Sequence, residues 1–362
     1  RGMMECCETA CPVWMDTAFT AVKILAAIGF GLNTAAFLTW VERKQSAVIQ
    51  DRIGANRAEI FGFRALGLFH ILSDAIKMLV KEDFAPPNGM RLWHDLAPAL
   101  SLFFAALCLA ALPFGDKLVL MGREWDLQPL PMSCGVVFVL AMLSLGVHGV
   151  AMAGWSSGSV FSMLGGLRGA AQMISYEVAM LTILAGPLYL YGTLDLAEAV
   201  RAQAHGIGGF LPAWGIFLQP LAFILFLTAG AAGTKRAPFD LPEGESEIVG
   251  YFVEYSGMKF GMFLTTDFIE SIVLAGMTTA LFLGGWHVPG LLRLGLPQPL
   301  FALLGTAAFT AKLLCVLWLL MQLRWTLPRF RFDQLLDLGW KNILPLAMLN
   351  FAATAWAVYL LP

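Results

Sequence analysis

The chain has 362 residues, of which 58% are hydrophobic and only 13% are charged, and its formal net charge is −2. Soluble domains average about 25% charged residues, so this composition excludes an ordinary soluble domain, and a net negative charge argues against a nucleic-acid partner. Several nearly uncharged runs reach the ~20 residues that a helix needs to cross a bilayer. The sequence therefore predicts an all-α polytopic membrane protein, because the short alternating segments of a membrane β-barrel are absent.

Residues 1–16 precede the first apolar run and contain a cluster of cysteines, Cys6, Cys7 and Cys11. No second group of ligands follows at the spacing of a zinc site. We therefore expect an outward-facing, non-catalytic tail without a metal, followed by a single membrane domain over residues 17–362.

Eight runs in that domain are predicted to span the membrane. They lie near residues 17–40, 96–114, 134–154, 169–192, 207–233, 260–285, 299–323 and 342–361. The connecting segments divide into two sets with unequal positive charge. Sixteen Lys and Arg residues fall in segments 41–95, 155–168, 234–259 and 324–341, and only five fall in the opposite set. The positive-inside rule predicts that the four basic segments face the cytoplasm, or the matrix or stroma of an organelle, and that both termini face outward.

Segment 65–81, ALGLFHILSDAIKMLVK, places its polar residues on one helical stripe. The stripe consists of His70, Ser73, Asp74, Lys77 and Lys81. This spacing predicts an amphipathic helix along the membrane surface. A short core helix of a soluble cap is the alternative, and the basic residues around the segment favour the membrane surface.

Ionisable residues occur inside the fourth, sixth and seventh spans, where they are energetically costly. Glu177 lies in the fourth span, Asp267 and Glu270 share a face of the sixth, and Lys312 lies midway along the seventh. Structural pairing with a carboxylate explains Lys312 as well as a functional role does. For the acids on neighbouring spans we predict a proton path, since buried carboxylates can bind and release protons near neutral pH.

Residues 236–255, RAPFDLPEGESEIVGYFVEY, concentrate acid in a segment that should be basic. The five carboxylates are those of Asp240, Glu243, Glu245, Glu247 and Glu254. A solvated acidic face is one interpretation. The apolar residues between the acids favour another, in which the loop turns inward and buries its carboxylates beside a cavity. The chain contains no dinucleotide fingerprint, Walker motif or cysteine set with iron–sulfur spacing, so we expect it to bind no redox cofactor itself.

The acidic loop strongly resembles the signature loop of the H-subunit family of NADH:quinone oxidoreductase, respiratory complex I. Five other stretches resemble that family in the same order along the chain. They are VERK at 41–44, DRIGAN at 51–56, SDAIKMLVKE at 73–82, GWSSGSVFSMLGGLRGAAQMISYEV at 154–178 and RWTLPRFRFDQLLDLGWK at 324–341. The resemblance extends over residues 15–361, and eight long spans is the number typical of the family.

The resemblance implies a subunit that joins the peripheral and membrane arms of the complex and forms the membrane-side wall of a quinone tunnel. Quinone would be the substrate, membrane lipids and other subunits the partners, and FMN, NADH and the iron–sulfur clusters would be bound by those other subunits. The location implied is an energy-transducing membrane, most simply a bacterial inner membrane. The residues implied for quinone binding are Arg52, Asp74, Lys77, Arg168, Gln172, Arg236 and Phe239. Those implied for proton transfer and coupling are Glu177, Asp240, Glu243, Glu245, Glu247, Asp267 and Glu270.

Two other functions are compatible with part of the pattern. A homologous membrane protein occurs in membrane-bound hydrogenases and in dehydrogenases that use a reduced deazaflavin coenzyme, but PFDLPEGESE and AQMISYEV favour a quinone-reducing complex. A secondary transporter would use the charges inside the spans as a substrate site. The absence of an internal repeat in the sequence disfavours that class.

Overall fold

The computed structural model describes residues 13–120, 123–204, 206–207, 211–242, 244, 247–248, 250–289 and 297–360. Helices account for 73% of the structure and strands for 3%, which confirms the predicted all-α fold. The three tail cysteines, Cys6, Cys7 and Cys11, lie outside the described residues, as do Glu243 and Glu245 of the acidic loop.

Twelve α-helices follow one another in the described part of the chain. They are α1 Val13–Ile49, α2 Phe69–Val80, α3 Arg91–Ala110, α4 Gly135–Ser156, α5 Val160–Tyr191, α6 Leu196–Ala202, α7 Gly215–Leu218, α8 Pro220–Gly233, α9 Gly257–Phe282, α10 Gln298–Thr326, α11 Phe332–Asp337 and α12 Leu344–Leu360. Two short antiparallel hairpins interrupt this order. They pair β1 Lys117–Leu120 with β2 Arg123–Asp126, and β3 Gly206–Ile207 with β4 Leu211–Pro212.

Seven helices among the described residues are long and apolar enough to cross a membrane. They are α1, α3, α4, α5, α9, α10 and the continuous helix Phe332–Leu360, in which a π-helical segment joins α11 to α12. The chain is therefore a multi-pass membrane protein. Helix α9 lies at the centre of the bundle, since every residue from Thr266 to Phe282 is buried.

The fifth predicted span, 207–233, is shorter in the structure than the sequence suggested. Its helical part is α8, whose 14 residues extend about 21 Å, less than the ~30 Å thickness of a hydrocarbon core. The first part of the run forms β3, β4 and α7 instead. Gln219 has a non-helical backbone between α7 and α8, and Pro220 begins α8 because its missing N–H is tolerated in a first helical turn.

The segment predicted as an amphipathic helix forms α2, although the helix begins at Phe69 rather than at residue 65. The preceding residues form a 3₁₀ turn in which Leu66 has a φ of 56°. No residue of α2 is buried, and Leu72, Ile76 and Leu79 present an apolar face outward. Its position along a membrane surface stays a prediction.

The four basic segments meet at one end of the bundle, which we call the basic face. The backbone of Met90 donates to the carbonyl of Ser156 at 2.8 Å, and the Ser256 hydroxyl donates to the carbonyl of Glu82 at 3.0 Å. An ion pair between Arg324 and Glu42 joins the fourth segment to the first. The division of connecting segments into two sets is therefore reproduced by the fold.

Candidate functional site

Three buried ionisable side chains meet where α8 ends against the middle of the bundle. Asp267 and Glu270 are only 5% and 4% exposed on α9, and Lys235, just beyond α8, is 1% exposed. The Lys235 Nζ lies 3.1 Å from Asp267 Oδ1 and 3.6 Å from Glu270 Oε2. Burial of an isolated charge is strongly unfavourable, and the contacts between these opposite charges reduce that cost, so we treat the three groups as one unit, which we call the ion cluster.

Glu177 approaches the ion cluster from helix α5. Its carboxylate accepts a hydrogen bond of 2.7 Å from the Ser144 hydroxyl on α4. A cavity of about 30 Å³, the smaller cavity, is lined by Glu177, Glu270 and Thr234 together with apolar residues. Because a water requires about 10–15 Å³ of such volume, this space is large enough for water to connect the two carboxylates.

A second cavity, the larger one, has a volume of about 160 Å³. It lies between α1, α8, α9 and α10. An apolar protein cavity of ~150 Å³ accommodates a benzene ring, so this space matches a single six-membered ring. Its lining residues are Leu38, Leu227, Thr228, Ala231, Thr234, Arg236, Ala237, Pro238, Phe239, Phe268, Ser271, Leu317, Leu320, Met321, Leu323, Arg324 and Leu327.

Two arginines in the wall of the larger cavity, Arg236 and Arg324, pair with the same carboxylate. The Arg236 guanidinium stacks over the Phe268 ring at 3.7 Å and lies 3.4 Å from the carboxylate of Glu42. Glu42 also pairs with Arg324. One carboxylate with 15% of its side chain exposed therefore holds two cations beside an apolar space.

Phe239, another residue predicted to contact quinone, also lines the larger cavity, and its ring stacks on Phe330 at 5.3 Å. Gln172 does not line either cavity described here. It is fully buried and donates to the carbonyl oxygens of Ala232 and Phe239, both at 2.7 Å. It therefore supports the cavity wall from behind.

The acidic loop is only partly turned inward. Asp240 is half-buried, and its carbonyl oxygen accepts a hydrogen bond from Arg329. Glu247 is exposed instead of buried, because Arg168 at the rim of an open cleft binds its carboxylate at 2.5 Å. That hydrogen bond holds the pKa of Glu247 below its usual range. The inward burial suggested by the sequence is thus wrong for Glu247.

The residues predicted for the quinone entrance lie on the basic face around α2. Arg52 is exposed and donates to the side chain of Gln50 at 2.7 Å. Asp74 pairs with Arg43 at 2.6 Å, and Lys77 is exposed on α2. Arg52, Asp74 and Lys77 are not among the residues that line the two cavities, so the structure does not bring them together with Arg236 and Phe239.

The sequence did not single out Lys235, Glu42, Arg324 or Thr234 as site residues. Lys235 and Arg324 were counted among the cations that set membrane orientation, although the structure places both at the site. The sequence did contain a signal for Lys235. This cation follows an apolar run, and another span contains a pair of acids at positions i and i+3. Across the described residues, no group of three His, Cys, Asp or Glu side chains is arranged to hold a metal ion.

Comparison with known proteins gives matches along almost the whole chain. The NADH dehydrogenase family model matches residues 22–355. Identity to H subunit 1 of the NADH-quinone oxidoreductase of Geobacter metallireducens is 44% over 350 residues, covering 96% of this chain and 99% of the relative. Identity to the corresponding H subunit of Thermomicrobium roseum is 44% over 327 residues, covering 89% and 91%. H subunit 1 of Cytophaga hutchinsonii is 38% identical over 340 residues, covering 94% and 96%. The matched region contains both cavities and the ion cluster.

Proposed function

This chain belongs to the H-subunit family of NADH:quinone oxidoreductase, and from that premise we propose that it binds the quinone ring in the larger cavity and couples quinone reduction to proton translocation through the ion cluster and Glu177. It does so beside partner subunits that bind NADH, FMN and the iron–sulfur clusters. We propose a bacterial inner membrane as the location of the complex, and the bacterial sources of the similar proteins named above support this.

The observation that supports this proposal most directly is the position of Thr234, which lines both cavities. On one side of Thr234 lies an apolar space of about 160 Å³ with Arg236 in its wall. On the other side lies the water-sized space shared by Glu177 and Glu270. The cavity proposed for the quinone ring and the cavity shared by Glu177 and Glu270 are therefore separated by a single residue.

The chemistry of each side suits the proposed role. An apolar cavity with a few polar groups favours a flat, weakly polar ring. Electrons that arrive from a partner's iron–sulfur cluster make the quinone oxygens more negative, and the Arg236 guanidinium at the cavity wall stabilises that charge. Reduction to the quinol also consumes protons, and the change of charge alters the proton affinity of buried carboxylates nearby.

Among the predicted proton-path residues, Glu270 and Glu177 can exchange a proton through water in the smaller cavity. Asp267 joins them through its shared contact with Lys235. The proton-path roles of Asp240, Glu243, Glu245 and Glu247, and the entrance roles of Arg52, Asp74, Lys77 and Arg168, belong to the same proposal. They rest on the family resemblance of the sequence segments that contain these residues.

Filling the larger cavity tests the proposal. Ala231 lines that cavity and is only partly buried, so Ala231→Phe places a ring in the space proposed for quinone. In membranes that contain the whole complex, NADH-driven quinone reduction should fall about tenfold or more, and NADH oxidation by ferricyanide should be retained.

The matched control is Ala352→Phe, which adds the same ring to the exposed surface of α12. It should leave both activities unchanged. Normal quinone reduction in an assembled Ala231→Phe complex would show that quinone does not use this cavity.

A further inference from the structure

Lys235 is held in an unusual backbone conformation. Its φ is 54°, a left-handed backbone value that is uncommon for residues other than glycine. The residue follows the C-terminal end of α8, where a left-handed residue reverses the chain direction and is most often glycine. Lysine at this position therefore has a backbone conformation that it uncommonly adopts. The reversal leaves its side chain 1% exposed and in contact with Asp267 and Glu270.

The charges of the ion cluster do not cancel. Among the described residues, one ammonium group faces two carboxylates within 3.6 Å, so these three side chains, when fully ionised, have a net charge of −1. An uncompensated charge in the interior is strongly unfavourable, and binding of one proton makes the cluster neutral. Among the described residues, Glu177 on α5 and Cys108 on α3 are further titratable groups that interact with Glu270.

The chain segment 234–236 connects this cluster to the larger cavity. Thr234 lines both cavities, Lys235 contacts the acid pair, and Arg236 lies in the wall of the larger cavity over Phe268. Phe268 itself stands next to Asp267 on α9. A change of charge in the larger cavity therefore acts on two cations that are adjacent in the chain, one facing the ring site and one facing the acids.

We propose that Lys235 is a positioning residue whose ammonium group sets the charge of the Asp267–Glu270 pair, so that the pair holds one exchangeable proton. When the charge in the larger cavity changes, the pair exchanges that proton with the smaller cavity beside Glu177. This inference rests on the proposed function and assigns it a charge-setting residue.

Charge-restoring substitutions in the intact complex test the proposal. Lys235→Met removes the ammonium and leaves a net charge of −2 on two carboxylates, whereas Lys235→Met with Asp267→Asn returns the cluster to −1. Lys235→Arg keeps the positive charge. We expect Lys235→Met to lower NADH-driven quinone reduction about tenfold, which corresponds to roughly 1.4 kcal/mol, and to displace its pH profile. Lys235→Arg should keep most of the rate and of the profile, and the double variant should return the pH profile towards that of the parent complex.

The control is Lys341→Met, which removes an exposed lysine of the basic face that pairs with Asp337 at 2.7 Å. It should not change the rate, the pH profile or the number of protons translocated per electron. NADH oxidation by ferricyanide in the same membranes reports assembly for every variant. If Lys235→Met does not assemble, recovery of assembly in the double variant supports the proposal that Lys235 sets the charge of the acid pair. Failure of the double variant to assemble overturns that proposal.

Two results would overturn the role of Lys235. One is a Lys235→Met complex with a normal rate, pH profile and proton translocation. The other is a double variant whose pH profile is displaced as far as that of Lys235→Met, because a purely structural lysine predicts no compensation by the second substitution. Asp267→Asn alone separates this inference from the proposed function. If Asp267→Asn abolishes proton translocation and Lys235→Met does not, the proposed proton path is supported and the role of Lys235 is overturned. If both variants translocate protons normally, the proposed proton path is overturned as well.

Discussion

The side-chain amide of Gln172 on α5 donates a hydrogen bond of 2.7 Å to the carbonyl oxygen of Phe239, which lines the larger cavity. The same amide nitrogen donates to the carbonyl of Ala232, also at 2.7 Å. One buried side chain therefore ties the last turn of α8 to the loop that closes the cavity. Phe239 therefore lines the proposed ring site, whereas Gln172 holds the wall of that site in position without lining it.

Substitution Gln172→Leu is expected to weaken both the fold and the site. It leaves buried carbonyl groups without their donor, which costs about 1–3 kcal/mol in the free energy of unfolding. The freed Phe239 segment should also raise the apparent KM for quinone. Thermal denaturation of the purified complex and quinone titration in membranes measure the two effects.

Gln203 provides the control for Gln172 at the opposite end of the bundle. It is buried and donates to the carbonyls of Ala199 at 3.1 Å and Ala280 at 2.7 Å. Gln203→Leu should lower thermal stability at least as much, because the Gln203 side-chain oxygen also accepts hydrogen bonds from the backbone of Gly215 and Gly284, and it should leave the KM for quinone unchanged. An equal rise in KM for both variants would indicate general loosening of the bundle.

The pair formed by Arg168 and Glu247 predicts a pH-dependent contribution to stability. The hydrogen bond from Arg168 holds the pKa of Glu247 below its usual range, so the stabilisation is complete above the unfolded value of about 4.3. It is lost as the pH falls through the lower folded value. Because 35% of the Glu247 side chain is exposed, solvent screening limits the contribution to below about 1 kcal/mol.

The measurement for this pair is the melting temperature of the complex as a function of pH. Glu247→Gln should melt slightly below the parent protein at pH 7, and the difference should shrink as the pH falls below about 4.3. Asp337→Asn, at an exposed acid of the same face, controls for loss of a surface carboxylate. A difference that grows on acidification would contradict the assignment.

Lys312 is expected to stabilise the fold without taking part in proton translocation. Its ammonium donates to the carbonyls of Leu283, Gly285 and His287 at 2.8, 2.9 and 2.7 Å, where α9 ends. These contacts favour a structural role for Lys312 over a functional one, although its partners are backbone carbonyls and not the carboxylate expected from the sequence. Lys312→Met should lower the melting temperature of the complex, since bonds from charged donors contribute about 1.5–3 kcal/mol. Protons translocated per electron should stay unchanged, and a changed ratio at normal stability would contradict this assignment.

The parts of the site that depend on local periodicity could be predicted from the sequence. Asp267 and Glu270 are three residues apart on one helix, so their common face followed from helical geometry. The α2 stripe followed from the same geometry, although the first residues of the segment form a 3₁₀ turn. The fifth span was overestimated because hydropathy alone does not register the break that Gln219 and Pro220 make.

The parts that depend on long-range packing could not be predicted. Lys235 lies at the end of an apolar run, which is the usual position of an orientation-setting cation, and only the left-handed turn directs its side chain inward. Glu247 belongs to an acidic stretch whose apolar neighbours suggested burial, yet Arg168, 79 residues away in sequence, holds it at the surface. Glu42 and Arg324 are 282 residues apart, so no local pattern indicated that they pair.

The orientation of the basic face can be tested by cysteine labelling. Arg57 is exposed in the first basic segment, and Lys117 is exposed on the β1–β2 hairpin at the opposite end of the bundle. The excess of Lys and Arg predicts that position 57 faces the cytoplasm. In a background without Cys6, Cys7 and Cys11 of the tail that we expect to face outward, and without the exposed Cys134 and Cys315, a membrane-impermeant maleimide added to intact cells should label Lys117→Cys but not Arg57→Cys. Detergent-solubilised complex should be labelled at both positions, which controls for accessibility of the thiols. Labelling of position 57 in intact cells, together with protection of position 117, would reverse the orientation and place the open cleft of Arg168 and Glu247 outside the cell, away from NADH.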